Sequence, residues 1–122
     1  MKILVIDDDQ QMRILLRQVM EWAGYEVIEA ADGREGLLKF RKQGADLVIT
    51  DLIMPEQEGL ETITLMKKER PDLNIIAISG GGRIGPEAYL PAAQELGAAR
   101  VFSKPFDIRE LAEAVKELLN HE

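Results

Sequence analysis

The sequence predicts an α/β fold, a (βα)5 doubly wound sheet of five parallel strands, in a single domain. Five short apolar runs alternate with five longer segments of helical period over 122 residues. The first, third and fourth runs are nearly continuous Val, Ile and Leu, as expected for central parallel strands with both faces covered. Gly24, Gly44 and Gly97 stand where three of the predicted helices would end.

The strands and helices follow one another in strict alternation. The predicted strands are residues 2–6, 25–29, 46–51, 74–78 and 99–102. The first and last helices have the clearest apolar stripes, formed by Met12, Leu15, Leu16, Val19, Met20 and Ala23, and by Ile108, Leu111, Ala112, Val115, Leu118 and Leu119. Weaker helices are predicted at 33–43, 57–69 and 88–96. Trp22, at the end of the first helix, is assigned to packing.

Composition excludes several classes of function. A net charge of -7 and a pI near 4.8 argue against a surface for nucleic acid or anionic membrane, since both require clustered Lys and Arg. The absence of Cys excludes thiolate catalysis and zinc–thiolate sites. The first residues lead directly into a strand and three aspartates, unlike a signal peptide or a membrane span. A cytoplasmic location is therefore expected.

Polar residues follow the predicted strands at the edge where an open α/β sheet binds ligands. They are Asp7, Asp8 and Asp9 after the first strand, Asp51 after the third, Ser79 after the fourth and Lys104 after the fifth. Taken singly, each has a structural explanation as a cap, a turn residue or a solvated cation. Together, the carboxylates would repel one another without a cation, and oxygen ligands suit Mg²⁺. A Lys and a hydroxyl at the same edge are what a phosphoryl group needs.

Four segments, in this order, resemble the receiver domain of two-component response regulators: ILVIDDD at 3–9, VITDLIMPEQEGLE at 48–61, AISG at 77–80 and VFSKPF at 101–106. The resemblance covers essentially the whole chain. It implies a flavodoxin-like sheet with strand order 2-1-3-4-5. It also implies one receiver domain over residues 1–122, with no output domain in this chain.

The resemblance implies Mg²⁺-dependent transfer of a phosphoryl group to Asp51. The donor would be a phosphohistidine of a sensor histidine kinase or phosphotransfer protein, or a small phosphodonor. Asp8, Asp51 and the backbone carbonyl of Ile53 would ligate Mg²⁺, and Asp7 would act through a bound water. The domain would support its own phosphorylation and autodephosphorylation as a signalling module, without being a turnover enzyme.

The resemblance also implies a switch. Lys104 and Ser79 would contact the phosphoryl group, Phe102 would change rotamer with it, and the Lys104–Pro105 peptide would be cis. The signal would leave through the surface of the fourth helix, fifth strand and fifth helix to an unknown protein target. A homodimer is left open. The stretch from Ser79 to Lys104 is about three residues longer than usual, and Pro91, which is tolerated only in the first turn of a helix, places the start of the fourth helix near Ala88. A longer loop before this helix would change the surface that contacts partners.

The chain departs from the common receiver pattern at Ile53 and Gly81, neither of which has a polar side chain to position a water. We therefore expect the phosphoryl group to be held for a long time. The segment SGGGRIG, at 79–85, contains the spacing of a dinucleotide-binding loop. However, no acidic residue follows about 20 positions on, so Ser79 is the expected functional residue there.

Two alternatives from other classes are considered. A haloacid-dehalogenase-like phosphatase also uses an aspartyl phosphate, Mg²⁺, a hydroxyl and a Lys, and its nucleophile would be Asp7. That family needs a further acidic pair after the Lys, whereas Lys104 precedes Pro-Phe-Asp-Ile. The second alternative is a receiver-like scaffold that is never phosphorylated, which the complete set of acidic residues, Ser79 and Lys104 disfavours.

Overall fold

The computed structural model describes residues 1–52, 59–79 and 90–119, in which five strands alternate with five helices. In chain order these are β1 (Lys2–Ile6), α1 (Gln10–Trp22), β2 (Glu26–Ala30), α2 (Gly33–Gln43), β3 (Leu47–Asp51), α3 (Gly59–Glu69), β4 (Asn74–Ser79), α4 (Leu90–Glu95), β5 (Arg100–Ser103) and α5 (Ile108–Leu119). The strands form one parallel sheet in the order β2-β1-β3-β4-β5. The predicted fold class and strand order are confirmed.

The sheet has a hydrophobic layer on each face. On one face, α1 and α5 pack against the sheet through residues such as Leu16, Met20 and Val115. On the other face, α2, α3 and α4 contribute Leu37, Phe40, Ile63, Met66 and Ala93. Alternate residues of each central strand enter opposite layers, which explains why β1, β3 and β4 are apolar at nearly every position.

Most element boundaries agree with the prediction to within one or two residues. The second strand begins and ends one residue later than predicted, at Glu26–Ala30. Gly24, Gly44 and Gly97 adopt φ values of 97°, 76° and 113°, which glycine tolerates without the steric cost of a side chain. The predicted helix ends are therefore confirmed.

The prediction for Trp22 was wrong, because its side chain is 92% exposed. Met20, two residues earlier, faces the core and is fully buried. A rotation of about 100° per residue places Trp22 on the far side of α1 from Met20. The hydrophobic period of a helix identifies its buried stripe but does not require every large apolar residue to lie on it.

No helix within the described ranges is long and apolar enough to cross a membrane.

The strand register brings the ends of the central strands together. Ile6 lies beside Thr50, so the residues after them, Asp7 and Asp51, leave adjacent strands at one edge. Ser79 pairs with Ser103, which precedes Lys104. The backbone N–H of Lys104 donates to the Ser79 carbonyl at 2.8 Å, which continues the sheet pairing by one residue. The polar residues predicted to meet therefore share the carboxyl edge of the sheet.

Candidate functional site

Three carboxylates meet at the carboxyl edge of β1 and β3. Asp7, Asp8 and Asp51 each present an oxygen, and these oxygens lie within 4.8 Å of one another. Asp7 and Asp51 are buried, whereas Asp8 is exposed. The donor set therefore consists of hard oxygen atoms, partly removed from water and open on the Asp8 side. Such a set fits Mg²⁺, which prefers carboxylates and retains part of its water shell.

Asp7 is held by contacts to both its backbone and its carboxylate. Its N–H donates to the Ala30 carbonyl at 3.1 Å, and its own carbonyl accepts from Nη1 of Arg13 at 2.6 Å. Its Oδ1 accepts from the Asp9 N–H at 2.9 Å, while Oδ2 faces Lys104. This residue therefore has a fixed orientation at the end of β1.

The pKa of the Asp7 carboxyl is raised to about 6, chiefly by burial and to a lesser degree by the nearby charge of Asp51. The Asp9 N–H and the Lys104 ammonium act in the opposite direction, because they favour the charged carboxylate. A cation bound among these carboxylates would favour the charged form in the same way.

Lys104 bridges the two buried carboxylates. Its Nζ lies 3.1 Å from Asp51 Oδ2 and 3.4 Å from Asp7 Oδ2. Burial lowers the pKa of this ammonium, but the two carboxylates outweigh burial and raise it above its usual value. Lys104 therefore stays charged at neutral pH. The peptide bond from Lys104 to Pro105 is cis.

Ser79 places a hydroxyl at the end of β4. It is completely buried, and among the described residues its Oγ has no hydrogen-bond partner. An unpaired buried hydroxyl is costly, so this atom is available to a group that enters the site. Asp51 and Ser79 are the last residues of β3 and β4, and Lys104 directly follows β5, so these residues lie at the carboxyl ends of three neighbouring strands.

Other predicted residues have different surroundings. Phe102, on β5, is half-buried and packs against Phe106 with ring centroids 6.1 Å apart. Asp9 caps α1, because its side chain accepts from the Gln11 N–H at 3.0 Å. Ile53 and the SGGGRIG segment after Ser79 lie outside the described residues.

Sequence reasoning missed two residues that shape this edge. Gly59, the first residue of α3, approaches the end of β3 so closely that a Cβ would lie 2.3 Å from the Asp51 carbonyl oxygen. Arg13, on α1, donates a hydrogen bond from Nη1 to the Asp7 carbonyl. The signal for Gly59 was a glycine placed directly before an apolar-periodic segment. The signal for Arg13 was weaker, since Arg13 and Arg17 share one face of a helix.

The fold and the site together define a class of protein, a flavodoxin-like α/β domain with a cluster of carboxylates that could hold a cation at the carboxyl edge of its sheet. The family model for the response regulator receiver domain matches residues 3–116 of this chain. The chain therefore belongs to the receiver domain family of two-component response regulators. The predicted family membership is confirmed.

Known proteins of similar sequence and structure agree with this assignment. Sporulation initiation phosphotransferase F from Bacillus subtilis (strain 168) is 36% identical over 118 residues, which is 97% of this chain and 93% of that protein.

Two solved structures are similar over nearly the whole chain. A CheY-like response regulator receiver domain protein from Methanospirillum hungatei JF-1 has a TM-score of 0.89 at 32% identity, over 98% of this chain and 93% of the other. Response regulator protein TrrA from Thermotoga maritima, solved in complex with Mg(2+)-BeF, has a TM-score of 0.84 at 35% identity, over 96% and 97% of the two chains.

Proposed function

We propose that Asp51 of this receiver domain accepts a phosphoryl group, and that the acceptance depends on Mg²⁺ held by Asp7, Asp8 and Asp51. The observation that carries the proposal is the bridge formed by Lys104 between the buried carboxylates of Asp7 and Asp51. The Mg²⁺–BeF complex of a similar receiver protein supports the choice of metal.

Asp51, Lys104 and Ser79 have different roles in the proposed phosphoryl transfer. A carboxylate oxygen of Asp51 attacks phosphorus, a P–O bond forms, and the P–N bond of the donor phosphohistidine breaks as its imidazole leaves. Lys104 is already within 3.1 Å of Asp51, so its ammonium can neutralise charge on the transferred group. The Ser79 hydroxyl can donate to a phosphoryl oxygen. Bound Mg²⁺ would supply further neutralisation of the phosphoryl oxygens.

The resemblance to receiver domains implies two further features, the backbone carbonyl of Ile53 as a metal ligand and a water-mediated contact of Asp7 with the metal. Both remain part of the proposal. The proximity of Asp7, Asp8 and Asp51 supports a shared metal site, because each offers one oxygen within 4.8 Å of the others. Phe102 is proposed to transmit the change at Ser79 to the surface of α4, β5 and α5.

The proposed partners are a sensor histidine kinase or phosphotransfer protein as the donor and an unidentified protein as the target. Under this proposal the domain is a cytoplasmic signalling module and not a turnover enzyme. Its support is the family membership and the presence of the acceptor, the cation and the hydroxyl at one edge. Homodimer formation stays a prediction.

The test is intact-protein mass spectrometry after incubation with acetyl phosphate, with and without Mg²⁺. We expect a Mg²⁺-dependent phosphoryl adduct in wild type and no adduct in Asp51→Asn. Asp9→Asn is the matched control, since Asp9 belongs to the same acidic run but its side chain caps α1. This variant should be phosphorylated like wild type.

Two other outcomes would reject the proposal. An adduct that persists in Asp51→Asn and disappears in Asp7→Asn would make Asp7 the nucleophile, as in the phosphatase alternative. No adduct in wild type under any Mg²⁺ concentration would favour the unphosphorylated scaffold.

A further inference from the structure

The side chain of Arg13 lies behind the acidic loop that connects β1 to α1. It is only 16% exposed, although it belongs to the helix surface. Its Nη1 donates to the Asp7 carbonyl at 2.6 Å, and its Nε donates to Glu29 Oε1 at 3.3 Å. One guanidinium group thus joins the loop to the end of β2.

The peptide group that Arg13 contacts matters for metal binding. The Asp7 carbonyl belongs to the planar unit that links Asp7 to Asp8, so a bond to this oxygen restrains where the Asp8 backbone lies. The preceding peptide is held by the bond from the Asp7 N–H to Ala30, and the following one by the bond from the Asp9 N–H to Asp7 Oδ1. Arg13 therefore restrains the middle one of three consecutive peptides.

Glu29 in turn fixes the guanidinium of Arg13. Its Oε2 accepts from Arg17 at 2.8 Å, while Oε1 accepts from Arg13. Its backbone carbonyl accepts from Nζ of Lys39 at 2.6 Å. Hydrogen bonds from Arg17 and then Arg13 lower the pKa of the Glu29 carboxyl, which is therefore ionised at neutral pH. Arg13 has a rigid partner on β2.

We infer that Arg13 is a positioning residue for the Mg²⁺ site, acting through the Asp7–Asp8 peptide and supported by Glu29. The inference rests on the proposed function of that site. Without Arg13, the exposed Asp8 carboxylate samples a wider range of positions, and Mg²⁺ binding must restrict it at an entropic cost. Replacing a residue that orients a metal ligand without contacting the metal commonly lowers metal affinity strongly.

The charge of Arg13 has the opposite effect on a bound cation. A guanidinium near the site repels Mg²⁺, so removing it would strengthen binding if charge alone mattered. Positioning and charge therefore predict changes of opposite sign. Lys in place of Arg keeps the charge but lacks the planar fork that reaches two acceptors at once.

The experiment measures Mg²⁺ affinity by isothermal titration calorimetry in protein first freed of metal with a chelator. Its variants are Arg13→Met, Arg13→Lys and, as the matched control, Arg41→Met. Arg41 is likewise an arginine hydrogen-bonded to a glutamate, and its described side-chain contact is to Glu69 on α3 rather than to Asp7 or Glu29. Unfolding in urea with EDTA gives the stability of each variant.

We expect both Arg13 variants to bind Mg²⁺ about tenfold more weakly, and Arg41→Met to remain within about twofold of wild type. Saturating Mg²⁺ should restore the rate of phosphorylation by acetyl phosphate, because the defect lies in metal affinity. Because Mg²⁺ also stabilises the folded state, the rates are compared only for variants that are fully folded in EDTA, in which recovery at high Mg²⁺ reports metal affinity.

Three results would overturn the inference. Tighter binding in Arg13→Met with unchanged binding in Arg13→Lys would mean that only charge matters. Unchanged Mg²⁺ affinity in both variants, with lower stability in EDTA, would reduce Arg13 to a structural role. If wild type itself bound no Mg²⁺, the proposed function would fail together with this inference. The first two results reject the inference alone, because wild type binds Mg²⁺ in both.

Discussion

Replacing Gly59 with Ala tests whether the start of α3 sets the position of Asp51, the proposed phosphoacceptor. An added Cβ would lie 2.3 Å from the Asp51 carbonyl oxygen and 2.5 Å from the Leu52 Cα. Ordinary contacts begin at about 3.4 Å, so the overlap is about 1 Å. Both contacted atoms belong to the backbone, and no side-chain rotation can relieve the clash. Either α3 or the end of β3 must move.

The size of this movement determines the expected effects. Overpacking of a well-packed region typically costs about 1–3 kcal/mol of unfolding free energy. The hydrogen bond from the Gly59 N–H to the Leu52 carbonyl, at 3.1 Å, ties the two segments together, so the shift is transmitted to Asp51. A misplacement of about 1 Å at a reacting group can reduce a rate by up to about 100-fold. We expect phosphorylation of Gly59→Ala to be slowed at least about tenfold.

Gly36→Ala is the matched control. Gly36 is also a buried helical glycine, and its added Cβ would meet an equally close atom at 2.4 Å, the Cδ1 of Ile6. That atom is the end of a side chain on the sheet face, so the clash should be absorbed by repacking of Ile6. Gly36→Ala should therefore lose a similar amount of stability while keeping its phosphorylation rate.

The assay combines urea unfolding with a time course of adduct formation by intact-protein mass spectrometry in acetyl phosphate and Mg²⁺. The rates are compared under conditions in which both variants are folded. Phosphorylation of Gly59→Ala at the wild-type rate would refute the reasoning, as would an equal loss of rate in Gly36→Ala.

Asp7, the phosphorylated state and Trp22 each give a further expected result. In metal-free buffer the raised pKa of Asp7, about 6, makes the folded protein bind more protons than the unfolded chain between about pH 4 and about pH 7, so its stability falls as pH rises. At about 1.4 kcal/mol per pKa unit, the unfolding free energy of wild type should fall by about 3 kcal/mol relative to that of Asp7→Asn over this range. The same pH dependence of the unfolding free energy in both proteins, measured in urea, would contradict this. Because Ile53 and Gly81 lack polar side chains, the aspartyl phosphate of wild type should decay more slowly than that of Ile53→Asn after the donor is removed; equal decay would contradict the expectation. Trp22→Gln should change the unfolding free energy by less than about 0.5 kcal/mol, since Trp22 is 92% exposed, and a larger loss would show that Trp22 packs.

The sequence pattern was sufficient to predict the fold and to place the central acidic and basic residues at one edge of the sheet. Hydrophobic period distinguishes a strand buried on both faces from an amphipathic helix, and strict alternation of the two leads to a parallel sheet. Once the strands are parallel, the residues after them must share an edge. Asp7, Asp51, Ser79 and Lys104 were therefore brought together by strand ends alone.

Tertiary structure alone decided the contacts that depend on how helices pack on the sheet. The 2.3 Å approach of a Gly59 Cβ to Asp51, the reach of Arg13 to the Asp7 carbonyl and the exposure of Trp22 have no signature in hydrophobic period. Each depends on the rotation of a helix about its axis and on its distance from the sheet. Those quantities are fixed by the simultaneous packing of many side chains, and a local pattern of residues does not contain them.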